Sequence, residues 1–186
     1  MKKIVLFASG SGSNAENIIL HFKQSQHAAV VAVFCNNPKA LVIARAESHN
    51  IPVVVFSKEE LSGENVLLKL HAFRPDLIVL AGFLLRFPAN IIQAYPNRII
   101  NIHPALLPKY GGKGMYGMHV HRAIAENKET ETGISIHYID EHYDEGDIIF
   151  QKSVALHPNE TPEAIAQKVH QLEHEYFPKV IQQLIS

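Results

Sequence analysis

The chain has 186 residues, 47% hydrophobic and 19% charged, with 17 basic and 18 acidic side chains and a formal net charge of -1. That length and composition favour one soluble domain around one core, and the charge balance supplies no field to draw nucleic acid or an anionic membrane. A single cysteine, Cys35, excludes an intrachain disulfide, and the apolar segment after the N-terminal Met-Lys-Lys, Ile4–Ala8, is too short for a signal peptide or a spanning helix, so a cytoplasmic protein is expected.

In chain order, Ile4–Ala8, Val30–Cys35, Pro52–Phe56 and Leu77–Ala81 are short, apolar runs rich in β-branched residues. They are predicted as strands buried on both faces, with Cys35 a strand residue. Helical segments are predicted near Asn14–Lys23, Ala40–Ser48 and Glu64–Phe73. This alternation implies right-handed βαβ crossovers and a parallel sheet. Pro88 is expected to open another helix, Ala89–Tyr95, from a first-turn position, and Arg98–His103 is a fifth strand.

The second half reads differently. Residues 104–118 form a loop holding Gly111, Gly112, Gly114 and Gly117, before a helix from His119 to Glu126. Glu131–Ile139 alternates as a strand with one wetter face, and Ile148–Leu156 is another. The acidic turn 140–147 joins them as an antiparallel pair. Thr161 is a good N-cap with Pro162 after it, and Ile165, Val169, Leu172, Tyr176 and Val180 make one stripe of a last helix. Pro178 is expected to kink or divide that helix. With no repeat or linker, the prediction is a single α/β domain with antiparallel strands in its C-terminal half.

Three constellations bear chemistry. Asn101 and His103 lie two apart at the end of a strand, hence on one face, and the strand stops at Pro104. One offers an amide donor, the other a side chain that titrates near neutrality. Read alone, the pair is either a reaction site or a satisfied buried polar pair. Ser9-Gly10-Ser11-Gly12-Ser13-Asn14 follows strand one and opens helix one. It is either a tight turn with a Ser or Asn cap or a phosphate cradle of backbone N–H groups at a helix N-terminus. Residues 140–147 carry five carboxylates in a spacing unlike a calcium loop. One of them beside His103, within about 4–6 Å, would favour the imidazolium. His119 and His121 are the closest approach to a metal pair among twelve histidines, and a surface or capping role is favoured.

Asn101-Ile102-His103-Pro104-Ala105-Leu106-Leu107-Pro108 resembles the signature of the folate-dependent formyltransferases, and Ile139-Asp140-Glu141-His142-Tyr143-Asp144-Glu145-Gly146 resembles that family's second signature. The resemblance runs from residue 3 to about 182. It implies a Rossmann-like formyltransferase fold, with residues 1–100 as the phosphate and substrate half and 101–186 as the catalytic and folate half. Asp144 takes the position of the family's catalytic carboxylate, making Asn101, His103 and Asp144 the expected trio. The Gly12-Ser13-Asn14 loop resembles the branch that formylates glycinamide ribonucleotide in purine biosynthesis. Chain length leaves no room for the RNA-binding domain of the tRNA-directed branch.

Several further roles are carried by the resemblance alone. Gly12, Ser13 and Asn14 would hold the substrate phosphate. Glu173 would hold the ribose hydroxyls, although it lies roughly 80° round the wheel from Ile165 and by itself reads as a surface charge. The co-substrate 10-formyltetrahydrofolate would lie along Leu84, Leu85, Arg86 and Phe87, Asn101, and Asp140, Glu141, His142, Tyr143 and Asp144, with no metal. Arg86 stands one place later than the family's arginine, which leaves its partner open. Lys109 reads equally as a phosphate contact or a solvated charge. The long glycine loop is a flap or a tolerated insertion, and Leu107–Pro108 is a candidate cis bond. The expected partners are small molecules, and the expected assembly is a monomer or homodimer. Two other readings remain: a formyltransferase acting on a sugar-nucleotide amine, and a non-catalytic nucleotide-binding module.

Overall fold

The apolar runs form strands β1 (Lys2–Ala8), β2 (Ala28–Cys35), β3 (Val53–Val55), β4 (Leu77–Leu80), β5 (Ile99–His103), β6 (Glu131–Tyr138) and β7 (Ile148–Ala155). The helices are α1 (Ser13–Phe22), α2 (Leu41–Ser48), α3 (Lys58–Ser62), α4 (Asn65–Phe73), α5 (Ala89–Ala94), α6 (Met118–Glu126) and α7 (Pro162–Ile185). The computed structural model describes residues 1–141 and 144–186. Its strands make one sheet in the order β3-β2-β1-β4-β5-β6-β7. The pairings among β1 to β5 are parallel, while β6 and β7 each run antiparallel to the strand before.

Period-2 alternation on β1 divides the core into two layers. Ile4, Leu6 and Ala8 join a cluster with residues of α1, α2, α6 and α7, and Val5 and Phe7 join one with α3, α4 and α5. Phe7 is fully buried, with its ring centroid 4.9 Å from Phe34, 5.3 Å from Phe83 and 5.0 Å from Phe87. Truncating such a ring typically costs about 3–5 kcal/mol. Phe83 and Phe87 belong to the loop after β4, so the core aromatic cluster also anchors that loop.

β1 has β2 on one side and β4 on the other, so strand order reverses there and a crevice opens at the carboxyl ends. Ser9 stitches the loops around it. Its N–H donates to the Gly82 carbonyl at 3.1 Å, its hydroxyl donates to Asn36 Oδ1 at 2.6 Å, and the same oxygen accepts the Leu84 N–H at 3.0 Å.

Two helix expectations need correction, and one helix was not foreseen. Pro88 is the N-cap of α5 rather than its first turn; its ψ of 146° is extended, and its carbonyl accepts the Ile91 and Ile92 N–H groups. Pro178 does not divide α7, which runs unbroken for 24 residues. Proline has no N–H for the carbonyl four residues back, that of His174. The Asn17 side chain supplies the missing donor, its Nδ2 reaching the His174 oxygen at 2.8 Å. The short α3 is held by a capping box in which the Ser57 oxygen accepts the Glu60 N–H and Glu60 accepts the Ser57 N–H.

Candidate active site

Asn101 and His103 project from β5 toward the same side as residues of β6. Register pairs Asn101 with His137 and His103 with Ser135. His137 donates from Nδ1 to the Tyr138 carbonyl at 2.9 Å, which leaves a lone pair on Nε2 to accept the Asn101 amide at 3.2 Å. Burial pushes the His137 imidazole toward its neutral form against the pull of Asp144. The Ser135 hydroxyl donates to the Ala105 carbonyl at 2.7 Å and accepts from the Leu107 N–H at 2.9 Å and from Gln151 Nε2 at 2.8 Å. Gln151 also donates to the Leu107 carbonyl at 3.0 Å. These bonds lay the 104–108 turn, with Leu107–Pro108 cis, against the sheet. Gly133 makes room for it, because a Cβ there would stand 2.0 Å from the Lys152 carbonyl oxygen and 2.8 Å from Leu106.

His103 is buried, with 3% of its surface exposed. Its Nε2–H donates to the Tyr110 carbonyl at 2.7 Å, and its Nδ1 lies 3.7 Å from Asp144 Oδ2. Asp144, delivered by the turn between β6 and β7, has its other oxygen 3.6 Å from His137 Nε2. Asp144 Oδ2 accepts the Gly112 N–H at 2.9 Å. The glycine loop therefore docks on the carboxylate. Gly146, two residues on, has no space for a side chain: its Cβ would stand 1.9 Å from the Tyr138 oxygen.

At the other end of the crevice, Gly12 is the N-cap of α1 at φ 74°, and no side chain caps the helix. The Ser or Asn cap of the tight-turn reading is absent. A Cβ on Gly12 would come within 2.4 Å of Val42, so this left-handed turn tucked against α2 requires glycine. Asn14 Nδ2 donates to Glu173 Oε2 at 2.9 Å, and His170 Nδ1 approaches the same oxygen at 3.3 Å. Glu173 is thus a half-buried group facing the crevice. Its hydrogen bond pushes the His170 imidazole up. Asn14 Oδ1 and His121 Nδ1 are buried without a hydrogen-bond partner.

The third wall is the loop after β4 and the start of the acidic turn. Arg86 Nη2 donates to the Glu141 carbonyl at 2.7 Å, which ties the two together, and Gln93 Nε2 donates to Glu141 Oε1 at 3.2 Å. Leu84, Leu85, Arg86, Phe87, Asp140 and Glu141 all line one cavity of about 900 Å³ with Asn101, His103, Asp144, Gly12, Ser13, Asn14 and Glu173. It draws on both halves of the chain. His142 and Tyr143 lie outside the described residues. Lys109 is exposed, stands outside the cavity lining and pairs with Glu129 at 3.3 Å.

His137, Ser135, Gln151, His121, His170 and the Tyr110 carbonyl were not foreseen as parts of this site. The alternation Ser135-Ile136-His137 was the available signal for two of them; the wetter face expected of that strand is instead buried, with Thr132, Ser135 and His137 all inside. Among the described residues no group of three or more His, Cys, Asp or Glu is placed to hold a metal, and no helix is long and apolar enough to cross a membrane.

Known proteins share this arrangement of chain. The phosphoribosylglycinamide formyltransferase of Bacillus subtilis is 39% identical over 100% of this chain and 95% of its own length. The chloroplastic phosphoribosylglycinamide formyltransferase of Arabidopsis thaliana is 38% identical over 97% of this chain, which spans 64% of that protein. A crystal structure of glycinamide ribonucleotide transformylase 1 from Geobacillus kaustophilus matches with a TM-score of 0.91 at 35% identity, covering 100% of both chains. Residues 2–181 match the formyl transferase family, and with relatives this similar along its whole length the chain belongs to that family.

Proposed function

We propose that this chain transfers a formyl group from 10-formyltetrahydrofolate to the amine of 5-phosphoribosylglycinamide, a step of purine biosynthesis. The observation that carries this reading is one cavity with three distinct ends: the Asn101, His103 and Asp144 cluster, a helix N-terminus with no side-chain cap beside Glu173, and a wall of Leu84, Leu85, Arg86 and Phe87 with Asp140 and Glu141. Relatives similar over nearly all of this chain carry the name of that activity.

The substrate phosphate would sit on the N–H groups of Ser13 and Asn14, which the helix dipole favours for an anion. Glu173, already oriented by Asn14, would accept from the sugar hydroxyls. The pterin end of the folate would lie along Leu84–Phe87 and Asp140–Glu141. The substrate amine attacks the formyl carbon, and a C–N bond forms as the carbonyl oxygen takes negative charge. Asn101 has one amide hydrogen on His137 and keeps the second for that oxygen. His103 has Nε2 committed to Tyr110, so Nδ1 is its reactive edge. The 3.7 Å gap between Nδ1 and Asp144 is longer than a hydrogen bond and suits a bridging water or the reacting oxygen. Through such a water, Asp144 carries the proton lost by the amine to the departing folate nitrogen. Preorganised donors of this kind supply a large part of a barrier reduction. The buried single cysteine fits the reducing environment of the cytoplasm.

The test is direct. Purified protein with 10-formyltetrahydrofolate and 5-phosphoribosylglycinamide should consume the formyl donor stoichiometrically with formylated product. Turnover only with a sugar-nucleotide amine would replace the acceptor in this reading, and turnover with neither would reduce the chain to a binding module.

A further inference from the structure

This inference rests on the formyl-transfer reading and concerns what aims His103. The ring's Nε2–H has one acceptor, the Tyr110 carbonyl at 2.7 Å. That carbonyl points where it does because Tyr110 adopts φ 56°, a left-handed conformation uncommon for an aromatic residue. Such a conformation persists where surrounding contacts over-determine it. The Tyr110 hydroxyl donates to Glu129 Oε1 at 2.9 Å, and the ring packs against the larger core cluster. Lys109 Nζ reaches the same Glu129 oxygen at 3.3 Å. Glu129 stands between α6 and β6, its side chain 25% exposed and outside the cavity. These two bonds hold the Glu129 carboxyl below the usual carboxylate range, while burial and Glu129 push the Tyr110 phenol up, so the donor and acceptor roles are fixed near neutrality. Two residues on, the Gly112 N–H holds Asp144 Oδ2. One short segment thus grips both partners, a carbonyl on His103 and an N–H on Asp144. The titratable groups around His103 are Asp144, His137 and His121.

We propose that Glu129, through the Tyr110 hydroxyl, is a positioning residue that aims the Tyr110 carbonyl and thereby turns Nδ1 of His103 toward Asp144. Glu129 touches no substrate and acts only through that tether.

Three substitutions in the full chain test it: Tyr110→Phe removes the hydroxyl, Glu129→Ala removes the acceptor, and Glu129→Gln keeps an acceptor oxygen. The first readout needs no substrate. In ¹⁵N-histidine-labelled protein, the His103 Nε2–H signal, assigned by its loss in His103→Asn, is expected to be protected from exchange in the wild type and in Glu129→Gln. In Tyr110→Phe and Glu129→Ala it broadens or exchanges freely. The second readout is steady-state kinetics: Tyr110→Phe and Glu129→Ala lower kcat about 10-fold with KM little changed, and Glu129→Gln recovers most of the loss. An unaltered His103 ring signal in Tyr110→Phe overturns the proposal, and so does equal loss of kcat in Glu129→Gln and Glu129→Ala. A wild type that turns over neither acceptor overturns the formyl-transfer reading instead, and the ring signal still decides the tether.

Discussion

His103 is best understood by what occupies each of its nitrogens. Nε2 is spent on a backbone carbonyl, so the chemistry proposed for this residue falls to Nδ1, which shares Asp144 with His137 across 3.7 and 3.6 Å. Asp144 is itself held by a glycine N–H, which leaves Oδ1 freer than Oδ2. His103→Asn and Asp144→Asn are therefore expected to lower kcat by about 10² to 10³ while leaving substrate affinity within a few-fold, because the groups they remove act on charge that develops only in the transition state. Steady-state kinetics with titration of both substrates checks this, and near wild-type turnover in either variant would contradict it. His103 and Asp144 were legible in the sequence from local motifs. His137 was not, because its role depends on cross-strand register, a relation between residues 36 apart.

At the scale of elements, α7 shows how a local rule is overridden. Pro178 should break a helix, and the helix continues because Asn17 of α1 satisfies the carbonyl that proline abandons. Replacing Asn17 with alanine is expected to destabilise the fold by about 1–3 kcal/mol by leaving that carbonyl unsatisfied. In a Pro178→Ala background, where the backbone N–H returns, most of that cost should vanish. Urea unfolding of the four proteins closes the cycle, and an equal cost in both backgrounds would show that Asn17 stabilises in some other way. The same helix carries Glu173, so the Asn17 bond also helps fix the register of α7 against α1, where Asn14 meets Glu173. Strand and helix runs in the first half were readable because periodicity is local. The short α3 had its signal too, Ser57 followed three residues later by Glu60, in a segment with little apolar periodicity.

At the scale of the molecule, burial pushes three histidines among the described residues toward their neutral form. His121, His137 and His174 all have folded-state values below the ordinary 6.5, with burial the largest cause in each. The unfolded chain takes up these protons more readily, so stability is fully present above pH 6.5 and falls as the pH drops through the lowered values. His170 works the other way: its raised value contributes most below 6.5 and is lost as the pH climbs through that value. Unfolding free energy is expected to fall between pH 7 and 5, and His121→Leu should reduce proton uptake on unfolding by about one. Denaturant titrations across that range test it, and a flat profile would refute it.

By itself, the sequence determined the alternation that builds a parallel sheet, the two signatures and the glycine turn, since hydrophobic period, turn chemistry and motif spacing are properties of neighbouring residues. Tertiary structure decided the rest. It made Glu173 a cavity group rather than a surface charge, paired Lys109 with Glu129, and chose which nitrogen of His103 is free. Those outcomes depend on where α7, β6 and the 109–112 segment come to rest against one another, and a hydrogen bond between residues 159 apart has no local trace.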